Sequence, residues 1–78
     1  MRLSVHTVLR VERARPRAGA ACEHCGQGFR AGRHASVLVY VADGDEKRAT
    51  THHRCRRRLV DAWADKGITV AARDGVAL

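Results

Sequence analysis

Cys22-Glu23-His24-Cys25-Gly26 and, farther along the chain, His52-His53-Arg54-Cys55 are the two stretches that decide this fold. Together they read C-x2-C…H-x2-C, three thiols and one imidazole at spacings suited to a single tetrahedral zinc ion. The pattern uses all 3 cysteines of the 78-residue chain. A metal leaves no thiol unexplained, whereas disulfide pairing strands one.

Each half has its own mechanics. In the first, two intervening residues let the chain bend around an ion so that Cys22 and Cys25 both face it. Gly26 then permits positive φ, turning backbone N–H groups toward the thiolates. In the second, His52 and Cys55 are three apart, neighbours on the first turn of a helix whose start favours a thiolate and is expected to lower its pKa. The expected ligands are Cys22, Cys25, His52 and Cys55. His53 and His34 stay open as alternatives for the fourth position, and His24, inside the knuckle, is expected to face solvent. Four protein ligands close the site, leaving no place for the bound water of a catalytic zinc.

Working outward, residues 2–11 put Leu3, Val5, Thr7, Leu9 and Val11 on one side, with Val8 the exception, which predicts a half-buried strand. Residues 12–20 hold the only proline and read as an extended connector. Residues 35–42, β-branched and bounded by turn residues, predict a second strand. Asp43-Gly44-Asp45-Glu46 is a hairpin turn, and residues 47–51 return. Thr50 or Thr51 is the expected N-cap of a helix from His52 to Lys66, with Cys55, Leu59, Ala62 and Trp63 on one stripe and Gly67 ending it. Residues 68–72 resume strand character, with pairing to the first strand expected, and Val76 to Leu78 finish apolar. The fold class is α+β: one zinc-stabilised domain over residues 1–78, with a finger core over 21–66 flanked by N- and C-terminal strands.

A knuckle, a hairpin and a helix that gives two ligands from its first turn resemble a treble-clef zinc finger. The Cys3His set and long spacing are similar to poly(ADP-ribose) polymerase-type zinc fingers, and more loosely to small bacterial and phage zinc-binding proteins with a C-x2-C-G…H-x2-C core. The resemblance spans roughly residues 22–60 and implies zinc on Cys22, Cys25, His52 and Cys55. The polymerase fingers recognise DNA breaks through apolar and basic residues that have no mapped counterpart here, so that activity is not implied.

Size supports the metal. Below roughly 70–80 residues a core seldom supplies more than about 3–5 kcal/mol, whereas a structural zinc contributes on the order of 10–16 kcal/mol. The longest apolar run, residues 37–42, is far short of a membrane span, and residues 1–10 lack the apolar core of a secretion signal. An odd cysteine number without such a signal predicts a reducing compartment, the cytoplasm.

Formal charge is +7, with 13 Arg against 2 Lys. Arginine forks match phosphate oxygens, so nucleic acid is the expected partner. The codon bias of a GC-rich genome, as in a high-GC bacterium or its phage, gives the same excess without any function. Arg54, Arg56, Arg57 and Arg58 crowd the helix start, where cations oppose its dipole. Arg13, Arg15 and Arg17 line the connector beside Arg10, and Arg30 and Arg33 follow the knuckle. Whether these clusters share a face is not written in the sequence. Phe29 and Trp63 are expected in the core, the tryptophan between helix and hairpin.

Enzyme readings find little. A His-Asn-His nuclease needs an asparagine, and the chain has none. A redox C-x-x-C wants its thiol at a helix start, which Cys55 occupies instead. The sequence therefore predicts a non-catalytic binding module contacting nucleic acid through Arg54, Arg56, Arg57 and Arg58 on the helix and Arg13, Arg15 and Arg17 on the connector. The alternative is a protein-interaction adaptor whose apolar termini form the contact or a dimer, distinguished by an exposed apolar sheet edge instead of arginines gathered on one face.

Overall fold

The structure, a computed structural model, describes residues 4–78. Val5–Ala14 forms β1, Ala35–Ala42 β2, Asp45–Thr51 β3 and Thr69–Ala72 β4, while a 3-10 turn, His53–Cys55, leads into α1, Arg56–Asp65. The four strands make one sheet in the order β3-β2-β1-β4, with β1 antiparallel to β2 and parallel to β4. The α+β class and the pairing of the last strand with the first stand as expected. The predicted start of the first strand, at residues 2–3, lies outside the described residues.

The hairpin is tighter than expected. Asp43 (φ 54°) and Gly44 (φ 81°) alone form the loop, the two left-handed positions of a type I′ turn. Ala42 therefore pairs directly with Asp45, and β3 begins there instead of at residue 47.

β1 departs from the sequence reading in two ways. It runs on to Ala14, because Glu12, Arg13 and Ala14 pair with Val37, Ser36 and Ala35, so the connector begins three residues later than predicted. The register also slips: Val8 opposes Tyr40, but Arg10 opposes Val39, leaving Leu9 as an extra residue. A bulge reverses which face later residues take. Before it, His6 and Val8 point toward the helix, and Val8 is 0 % exposed; after it, Val11 rejoins the same core. Val5, expected inward, is 46 % exposed. The residue that broke the alternation is the buried one.

That core joins Val8, Leu38, Ala49, Leu59, Val60 and Trp63, with Val11, Tyr40, Ile68, Val70, Val76 and Leu78 packed against it. Trp63 sits between helix and hairpin as expected, its ring 4.8 Å from Tyr40 and 4.7 Å from His6. The helix ends in a Schellman motif. Gly67 (φ 84°) donates to Ala64 O at 3.0 Å and Ile68 N to Trp63 O at 3.0 Å, while Ile68 and Trp63 share the core.

On the other sheet face Val39 is flanked in register by Arg10 and Arg48, and Glu12 joins the two arginines at 2.7 and 2.6 Å. Val39, between these two register neighbours, is fully buried.

The bulge makes a test of register simple. Val8→Ala is expected to lower stability by about 2 kcal/mol and Val5→Ala by under about 0.5 kcal/mol in urea unfolding of the metal-loaded protein. Equal losses would show that the bulge is misplaced.

Candidate metal centre and its surroundings

The knuckle is a very small hairpin. Cys22 N donates to Gln27 O at 2.8 Å, Ala21 and Gly28 form an antiparallel bridge, and Gly26 (φ 75°) donates to Cys22 O at 2.9 Å. Glu23 N donates to Thr50 O at 3.0 Å, docking this hairpin on β3. The chain leaving β3 then brings in the second pair. Thr51 ends the strand and is fully buried with no partner for its Oγ1, so neither threonine caps the helix. His52 takes the capping position in extended conformation (φ −61°, ψ 151°), and Cys55 N donates to His52 O at 3.0 Å. The helix proper starts at Arg56, later than the sequence suggests, because the ligand pair occupies a tighter turn ahead of it.

These elements place the ligand atoms of Cys22, Cys25, His52 and Cys55 within 4.8 Å of one another. Metal bonds of about 2.0–2.3 Å in a tetrahedron put such atoms about 3.5–3.8 Å apart. His52 Nδ1 lies 3.4 Å from Cys25 Sγ and 3.9 Å from Cys55 Sγ. The cluster could hold a metal ion.

The imidazole is oriented for that task. His52 Nε2 sits 3.0 Å from Gly28 O, and a carbonyl only accepts, so Nε2 carries the proton and donates. Nδ1 is left as a lone pair aimed among the sulfurs, the outer-shell arrangement that fixes a ligating histidine. Phe29 stacks on the same ring at 4.6 Å between centroids. It was expected in the core; instead it is half-buried over His52, because the knuckle turns the chain away from the sheet. His53, the neighbouring candidate, points to Ser36 Oγ at 3.4 Å, and His34 Nδ1 faces Arg13 at 3.5 Å. His24 is exposed.

The thiols differ in their electrostatics. Burial alone would push the Cys22 thiol up, but backbone N–H groups of Cys25, His52 and His24, with the Cys25 thiol, together bring it down to about 6. The His52 N–H lies 3.4 Å from its sulfur. Cys55 was expected to be lowered by the helix start. It is raised instead, by burial first and then by the neighbouring Cys22 and Cys25. Ending the 3-10 turn, it lies behind the helix start in a dry position beside two other sulfurs.

The arginines separate into groups. Arg57 is exposed and pairs with Asp61 at 3.4 Å, one helical turn on, and Arg58 is exposed on the helix surface. Arg54 lines a cleft beside the centre with Phe29, Arg30, Arg33 and His53. Arg15 and Arg17 line a second cleft with Arg30 and Arg33. Arg13 and Arg56 line a third with Arg33, His34 and His53. Arg33 borders all three. The sequence reading noticed Arg30 and Arg33 without assigning them a role; their place after the knuckle, in the segment the ligands fold back, was the available signal. Gly28 O and Phe29 left no such signal.

No protein-family model, curated protein or solved structure matches this chain. Among the described residues no helix is long and apolar enough to cross a membrane.

Removing the fourth ligand separates the two adjacent histidines. His52→Ala is expected to lose stoichiometric metal by elemental analysis and to unfold by circular dichroism, as is Cys55→Ser, whereas His53→Ala keeps both. Metal retained in His52→Ala would assign the coordination elsewhere.

Proposed function

We propose that this chain is a non-catalytic module of treble-clef-like design, held by one structural zinc ion and binding nucleic acid through the arginines around Arg33. Zinc is favoured by the donor set, three soft thiolates and an imidazole gathered within 4.8 Å. Because Cys22, Cys25, His52 and Cys55 fill all four positions, the ion has no vacancy for an activated water, which is the case against catalysis. Thiols kept for metal suit a reducing compartment, and we assign the cytoplasm on that ground.

The observation that carries the nucleic-acid reading is convergence. Arginines from three separate segments, residues 13–17, 30–33 and 54–56, border adjoining clefts that share Arg33. None of them is within ion-pair reach of a carboxylate among the described residues; the acids Glu12 and Asp61 are taken by Arg10, Arg48 and Arg57. Unneutralised guanidinium groups drawn together from distant segments repel one another, and a polyanion relieves that repulsion. The adaptor reading rests on exposed apolar surface, and among the described residues Val5 is the large hydrophobic side chain so exposed. One valine is no patch.

Anisotropy titration of unrelated duplexes across salt concentrations tests this. With about four phosphates neutralised, log Kobs against log salt falls with a slope of about −3.6. Arg33→Ala is expected to weaken all sequences alike and flatten the slope by about 1. Absence of binding at low salt removes the reading.

A further inference from the structure

The third cleft is more specific than a charged surface. It lies between the end of β1 (Arg13), the segment after the knuckle (Arg33 and His34), the start of β2 (Ser36) and the start of the helix (His53 and Arg56). Arginine only donates, so Arg13 must donate to His34 Nδ1 across their 3.5 Å contact. The neutral His34 ring therefore carries its proton on Nε2, a second donor. Ser36 Oγ and His53 Nδ1 engage each other at 3.4 Å. Arg56 is half-buried, and its Nε is shielded from water with no acceptor among the described residues. Glu12 is the one carboxylate in the lining, and both its oxygens are engaged, by Arg48 and Arg10, at 2.6 and 2.7 Å.

Donors thus outnumber acceptors in this open cleft. A carboxylate offers two coplanar oxygens, enough for one guanidinium fork. Three forks arriving from three chain segments call for a ligand with oxygens in several directions. We propose that this cleft seats a single phosphate group on Arg13, Arg33 and Arg56, with His34 as an additional donor, and that it fixes the register of a bound nucleic-acid strand. The second half of this statement rests on the nucleic-acid reading above; the seat itself does not. A phosphate also compensates the half-buried Arg56 charge, which no carboxylate among the described residues pairs with.

The test uses the full, zinc-loaded chain. Arg13→Gln and Arg56→Gln are each expected to weaken duplex binding about tenfold, the effect of losing one charge-assisted contact. Arg57→Gln, whose arginine is held by Asp61, is the control and should change affinity by less than about twofold. In parallel, inorganic phosphate is titrated while the backbone amides of Arg33, His34 and Ser36 are followed by NMR. Arg13 is exposed, so its variant should stay folded even where the Arg56 variant does not. Tenfold losses, or phosphate-induced shifts abolished by Arg13→Gln, support the seat. Duplex binding that both variants leave at the control level, with no shift from phosphate, overturns the seat while the nucleic-acid reading stands. Phosphate shifts without any duplex binding give the opposite result: the reading falls, and the cleft is a site for the free anion.

Discussion

Three sulfurs and an imidazole crowded within 4.8 Å are the constraint on which the rest of this structure depends. Three thiolates cannot share that volume as bare charges. Their opposed tendencies, Cys22 drawn down by N–H groups and Cys55 pushed up by burial and its neighbours, express that conflict. A divalent cation bound by all three would resolve it. The need is plain in the segment from residue 23 to residue 34, which is exposed throughout except for the half-buried Phe29. Such a stretch buries too little apolar surface to offset its ordering entropy of roughly 1–2 kcal/mol per residue. Apart from short turns, its ties to the sheet among the described residues are two hydrogen bonds, Glu23 to Thr50 and Arg13 to His34. Ligation is the interaction strong enough to give it one shape.

The hydrophobic half solves a different problem. β1 serves as the inner strand between β2 and β4 and presents Val8 and Val11 to the core under the helix. Its sequence does this with a bulge: Val8 and Val11, three residues apart, reach the same core because Leu9 is extra. The shift also places Arg10 and Glu12 beside Val39 and Val37 on the far face. There the ion network with Arg48 covers the valines. Surface ion pairs of this kind add little stability by themselves, so their contribution is the shielding of Val39.

What the sequence revealed follows from what each signal encodes. The ligand spacing, the Asp-Gly turn and the Gly67 terminus are local chemistry, and all three appear where the residues put them. The strand pairing of β1 with β4 was legible from apolar runs alone. The bulge was not, since period-two reading assumes an unbroken register and treats Val8 as noise. The helix start was misplaced because Thr50 and Thr51 are good caps in isolation, but pairing with β2 claims Thr50 and Thr51 for the sheet. Phe29 was assigned to the core on its size. Only the folded knuckle reveals that the nearest apolar surface is the His52 ring.

Metal and arginines are one system mechanically. Arg30 and Arg33 belong to the exposed segment that ligation orders, whereas Arg13 is fixed by the sheet and Arg54 and Arg56 by the turn that carries His52 and Cys55. An ion on the four ligands would join the knuckle to that turn and so hold the three guanidinium sources together. A cation with three thiolates also leaves the centre at a net charge of about −1, and Cys25 is exposed beside the cleft of Arg54 and Arg30. That negative charge eases the approach of arginines that would otherwise repel. The centre is therefore more than a staple for a small core. A metal bound there would hold the Arg33 segment against the turn that leads to Arg56, and with it the geometry that a phosphate would meet.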